Sequence, residues 1–227
     1  MPPPPVLPTI HILFPSPTFS SAFTTATQFR ALPPSIKIHH HTTTLSALPS
    51  SLHFDAILAP TDAYARMSGG FSAALSRALS PSHAPSALER VAQEQLFAAH
   101  RGFLVPGNCL LVSLDDTLLR RRWGARWIAL CATTRAGKGD VRWDREVVYE
   151  CVWAVLVALS AHNARVRLGE GEGEIKSVLM TPLATGSGGW SAERWAAQTV
   201  LAVRHFVEAG KGSIEGRTWE VEQTWGL

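Results

Sequence analysis

FDAILAPTDAYARMSGGF, residues 54–71, opens on a nearly all-apolar run, Phe54 to Ala59, and then passes through Pro60 into a loop ending in Gly69 and Gly70. An apolar run without alternation belongs to a strand covered on both faces, and the missing N–H of proline predicts that the strand stops at Pro60. Phe71 to Leu79 then carries apolar residues at helical spacing. PLATGSGGW, residues 182–190, repeats this arrangement near the other end of the chain. Ile175 to Leu183 reads as a buried strand, Thr185 to Gly189 as a turn of small residues, and Ser191 to Ala209 as a helix stopped by Gly210. In open α/β sheets, ligands sit beyond the carboxyl ends of strands, where glycine lets backbone N–H groups approach an anion at a helix N-terminus. Two such loops predict one cleft able to cradle two phosphates. No lysine stands before a closing Ser or Thr, as a nucleotide-triphosphate loop requires, and Gly186, Gly188 and Gly189 miss the G-x-G-x-x-G spacing of a dinucleotide fold.

Outward from these stretches the elements alternate. Ile10 to Phe14, Ile36 to His40, Cys109 to Leu114 and Trp127 to Ala132 read as strands; Thr24 to Arg30, Ala87 to His100 and Arg145 to His162 read as helices, the last with Asp144 as its N-cap. This order predicts an α/β fold around a mixed, largely parallel sheet. The 227 residues, 46% hydrophobic and 17% charged, suffice for one core, so residues 10–227 read as one domain behind a proline-rich leader at 1–9.

A net charge of +3 with scattered basic residues offers no stripe for a nucleic-acid backbone, so nucleic acid is not an expected partner. Cys109, Cys131 and Cys151 form no C-x-x-C pair and read as reduced thiols, which with the absence of a signal-peptide pattern predicts an intracellular protein. The apolar segment Val147 to Leu159 is shorter than the ~20 residues a bilayer requires, so no membrane partner is expected. His39, His40 and His41 alternate faces on a strand and cannot converge on one metal ion. Asp115 and Asp116 read as a turn or cap beside Thr117, Cys131 as a buried inert thiol, and Arg120 to Arg122 as a solvated patch.

FDAILAPTDAYARMSGGFSAALSRAL resembles the macrodomain segment in which a DAIV-x-P-A-N strand precedes a glycine-rich loop and helix. TPLATGSGGWSAERWAAQTVLAVRHF resembles the second phosphate loop and last helix of that fold, and IALCATTR resembles a strand ending of bacterial and fungal members. The fungal macro-like branch is the one these segments are most similar to. The resemblance spans Phe54 to Phe206 and implies a three-layer α/β/α fold, a ligand of the ADP-ribose class, and no cofactor. It implies that Asp62, Ala63 and Tyr64 line the distal ribose, that Ser68, Gly69, Gly70 and Phe71 wrap one phosphate, and that Thr185, Gly186, Ser187, Gly188 and Gly189 wrap the other. Trp190 would lie against the distal ribose and Thr133 would border the site. Departures bear on chemistry: Asp62 replaces the usual asparagine, Ser68 and Ser72 stand where related proteins carry carboxylates, and no acidic residue follows the first strand at Phe14. With those carboxylates gone, Asp62 is the one candidate general base. The resemblance therefore implies a small-molecule nucleotide ligand, with ADP-ribosylated protein as a further partner. Its alternatives are an ADP-ribosyl hydrolase or ADP-ribose 1″-phosphate phosphatase using Asp62, and a degenerate domain serving as a structural or interaction module. No oligomeric state can be read from the residues.

Overall fold

The computed structural model describes residues 7–115, 117–119, 122–136, 139–171, 173–210 and 221–227. Most of the leader, Asp116, Arg120 and Arg121 lie outside them. Among the described residues six strands form one sheet: β1 (Thr9–Phe14), β2 (Ile38–Thr42), β3 (Ala56–Asp62), β4 (Cys109–Ser113), β5 (Trp127–Thr134) and β6 (Ser177–Met180), in the order β2-β1-β6-β3-β5-β4. All pairings are parallel except β4 with β5. Among the described residues five α-helices cover it: α1 (Pro17–Phe29), α2 (Gly70–Leu79), α3 (Ala87–His100), α4 (Val147–Arg167) and α5 (Ala192–Ala209).

Strand periodicity divides the core in two. Ala56, Leu58, Ala129 and Cys131 face a cluster with Phe23 of α1, Val152 of α4 and Val200 of α5, while Ile57, Ala59, Ile128 and Leu130 face Leu75 of α2 and Leu88 of α3. Successive residues point to opposite faces, so an unbroken apolar strand requires helices on both sides. The architecture is three-layer α/β/α around a mixed, largely parallel sheet, as expected.

Several boundaries differ from the sequence reading, each for a local reason. β3 continues through Pro60 to Asp62, because β6 pairs with it only at Ala56 and Ile57 and leaves that flank without a ladder for the proline to interrupt. β2 lies two residues later than expected and β6 is shorter than expected. The first helix starts at Pro17 rather than Thr24: proline fits the first turn, where its missing N–H costs nothing, and Phe19, Phe23 and Ala26 share the inward face. Asp144 is not the N-cap of α4; Glu146 is, and the Asp144 carboxylate accepts from the Glu146 amide at 3.2 Å. α4 runs on to Arg167, and its 21 residues are long and apolar enough to cross a membrane by length and composition, but in this fold they pack against the sheet and α5.

The histidine tract behaves as a strand edge. His39 and His41 share a face with His11 of β1, stacked on it at ring-centroid distances of 4.8 and 5.2 Å, while His40 turns the other way onto Phe14 and Phe23. His11 also hydrogen-bonds His41 at 2.9 Å and meets the Phe54 ring edge. Burial first, and then His39 and His41, push the His11 imidazole down from 6.5 to about 4. Because its folded value lies below the unfolded one, the unfolded chain binds the extra proton between those limits. Stability from this group is full above pH 6.5 and is lost as pH falls toward 4. A series of melting temperatures from neutral to acid pH is expected to decline less steeply in His11→Phe than in the wild type; parallel profiles would contradict this.

Candidate functional site

Because β1, β3, β5 and β6 run parallel, the connections that follow them leave one edge of the sheet. β3 and β6 are neighbours, so the loop 63–69 and the loop 181–190 emerge side by side.

The first loop begins at an irregularity: the register between β3 and β5 shifts between Thr61 and Asp62. Such a bulge re-aims the chain at a strand end. Asp62, 5% exposed, holds the first turn of this loop in shape. Its Oδ1 accepts from the amides of Tyr64 and Arg66 at 3.0 and 3.1 Å, and its Oδ2 accepts from Arg66 Nε at 2.6 Å. An acceptor-only side chain suits that position; asparagine would set an NH2 group against the arginine N–H. Ala63 is fully buried, its N–H donating to Thr134 O and its carbonyl accepting from Leu104, so no face of it reaches solvent. Tyr64 is 43% exposed, with Arg66 over its ring at 5.6 Å and Phe103 against its edge. Met67 N donates to the Glu89 carboxylate of α3 at 2.8 Å.

Ser68, Gly69 and Gly70 are exposed and open α2. Gly70 has φ of +56°, which glycine adopts without strain. The helix has no side-chain cap and no acidic residue in its first turn, so its positive end faces outward uncompensated. Ser72 does not cap it: its hydroxyl donates to Gly69 O at 3.0 Å and is buried. Phe71 is half-buried against the α2–α3 core.

In the second loop Thr185 is half-buried, with its hydroxyl donating to Pro182 O, while Gly186, Ser187 and Gly189 are exposed. The turn is closed by Gly189 N to Gly186 O and Trp190 N to Ala184 O, both 3.1 Å. Gly188 is a close approach: a Cβ there would overlap Ala184 O, whereas Gly186 has open space around it. Among the described residues, the amides of Ser68, Gly69, Gly70 and Phe71 and of Gly186, Ser187 and Gly188 donate no hydrogen bond within the protein. Trp190 is 4% exposed; its Nε1 donates to Val141 O at 3.3 Å and its ring packs under Arg194, so it anchors the loop from beneath.

Sequence reasoning missed Arg194. The residue is 6% exposed; its guanidinium lies 4.0 Å over the Trp190 ring and donates to the carbonyls of Arg142 and Arg145, and Nε has no partner among the described residues. Burial, and then neighbouring Arg145, push its pKa down against the opposing pull of Asp144. Arg142, paired with Asp140, has its stem against Gly189. The second loop therefore sits on buried positive charge. The only signal in the sequence was a basic residue in the first turn of a largely apolar α5, three positions past its Ser191 cap.

The other candidates fall outside this edge arrangement or into its supports. Thr133 is buried, its hydroxyl donating to Thr61 O at 3.3 Å. Cys131 has no exposure, and burial, followed by contacts from Cys109 and Cys151, pushes its thiol well above its ordinary value, which suits an inert core cysteine. Asp115 pairs with Arg126 at 2.7 Å, and Arg122 stacks on Trp123. A cavity of about 760 Å³ lies elsewhere, between the start of β4 and α4. Its lining shares no residue with the two glycine loops, which remain the candidate site for an anion.

Asp62→Asn is expected to cost about 1.5–3 kcal/mol in urea unfolding, the range for hydrogen bonds to a charged group. Gly188→Ala should destabilise while Gly186→Ala stays within about 0.5 kcal/mol of wild type. Equal losses at the two glycines would contradict the loop geometry.

No protein-family model matches this sequence, and no curated protein matches it. Among solved structures, the chain is similar to the Oceanobacillus iheyensis macrodomain with MES bound, at a TM-score of 0.49 and 16% identity over 70% of this chain and 73% of that one. It is similar also to the macrodomain of Mycobacterium tuberculosis DarG, at a TM-score of 0.45 and 17% identity over 71% of this chain and 88% of that one.

Proposed function

We propose that this chain is a macrodomain-like module that binds ADP-ribose or a close derivative, its pyrophosphate held between the uncapped start of α2 and the loop 185–189. The observation that carries this reading is the pair of unpartnered amide arrays leaving adjacent parallel strands at one sheet edge. Amides and a helix N-terminus favour negative charge, and Arg194 beneath the second loop adds a positive field in a poorly solvated place. The resemblance of the same two segments to macrodomain phosphate loops supplies the ligand class. Tyr64 is the exposed ring available to a ribose or base; Ala63, Thr133 and Trp190 support the loops from below.

Recognition is favoured over hydrolysis. A general base must reach a water, and the Asp62 side chain is 4% exposed and turned into its own loop by two amides and a guanidinium. Turnover of ADP-ribosylated protein or ADP-ribose 1″-phosphate is therefore proposed to be weak or absent, and any residual rate should fall in Asp62→Ala.

Calorimetric titration with ADP-ribose tests the binding. The wild type is expected to bind, and Gly186→Glu, which has room for its side chain, should bind at least about tenfold more weakly, a loss of about 1.4 kcal/mol, with an unchanged melting profile. Undiminished affinity in Gly186→Glu would remove the loop from the site, and failure of the wild type to bind would favour a structural module.

A further inference from the structure

We propose that the cavity between the start of β4 and the outer stripe of α4 is a second binding site, one for a small organic cation: a protonated amine on an apolar arm. It is separate from the phosphate loops and does not depend on their ligand.

At about 760 Å³ the cavity falls within the size range of small-molecule sites. Its walls are mainly apolar, from Val105, Pro106 and Cys109 on one side and Trp153, Ala154 and Val157 on the other. Glu150, Ala154, Val157 and Ala158 recur at helical spacing, so the carboxylate and the apolar stripe lie along one face of α4. Glu150 is the one charged residue in the described lining. Its carboxylate leans onto Gly107, where a Cβ would overlap Oε2, and no described cation pairs with it. Burial, and then Asp144 and Glu146, push its pKa up, so the ionised carboxylate carries a cost there that a positive partner would reduce.

The aromatic wall suits the same partner. Trp153 is half-buried and stacks on Tyr149 with ring centroids 6.2 Å apart and planes within 16°. The Tyr149 hydroxyl is already bonded to His205, so Tyr149 offers the cavity its ring rather than its hydroxyl. A cation near an indole face and a carboxylate is attracted by both. The resulting ligand has its ammonium at Glu150 and its arm along Ala154 and Val157.

The test is titration of benzylammonium into the full chain, followed by amide chemical shifts, with benzyl alcohol as the uncharged control. Saturable shifts at Gly107, Asn108, Cys109 and the first turns of α4 are expected. Glu150→Gln should weaken binding about tenfold or more, and Ala154→Leu, which fills the cavity and keeps the carboxylate, should weaken it comparably. Affinity should fall as acid protonates Glu150, and benzyl alcohol should not compete. Absence of saturable binding, equal affinity in Glu150→Gln, or competition by benzyl alcohol would each overturn the proposal.

Discussion

Ala56, Ile57, Leu58 and Ala59 have no solvent exposure, and this single constraint on β3 organises the molecule. A strand dry on both faces needs a helical layer on each side and a strand on each flank, here β6 and β5. Burying Ile57 and Leu58 contributes roughly 1.5–3 kcal/mol each before entropy is counted. The crossovers that bring parallel β5 and β6 to either side of β3 also bring their carboxyl ends to one edge. The site is a consequence of covering the strand.

At that edge polarity is divided between two tasks. Buried acceptors and donors hold the loops in shape: Asp62 gathers Tyr64 and Arg66, Glu89 takes the amide of Met67, and the Trp190 indole reaches Val141. The amides those anchors leave free belong to the exposed residues Ser68, Gly69, Gly70, Gly186 and Ser187, with half-buried Phe71 and buried Gly188 beside them. A carboxylate spent on architecture is poorly placed to move protons.

Much of this was legible in the residues. α3 was readable to its ends from its apolar spacing, and both glycine loops from the strand-to-helix context around them. Pro60 misled because its missing N–H matters only where a ladder exists, and which neighbour ends early is a tertiary fact. Thr24 misled because Ser and Thr on the outer face of α1 hide the phenylalanines beneath. The ribose reading of Ala63 rested on resemblance alone, and its full burial is invisible in one sequence. Arg194 was hidden for the same reason: an arginine in a helix reads as surface until the fold encloses it.

The most direct test of the central claim is a backbone amide spectrum of the full chain recorded as ADP-ribose is added. The amides of Gly69, Gly70 and Phe71 and those of Gly186, Ser187 and Gly188 are expected to shift together along one saturation curve. Shifts confined to one loop, or saturating separately at the two, would contradict a single pyrophosphate held between them.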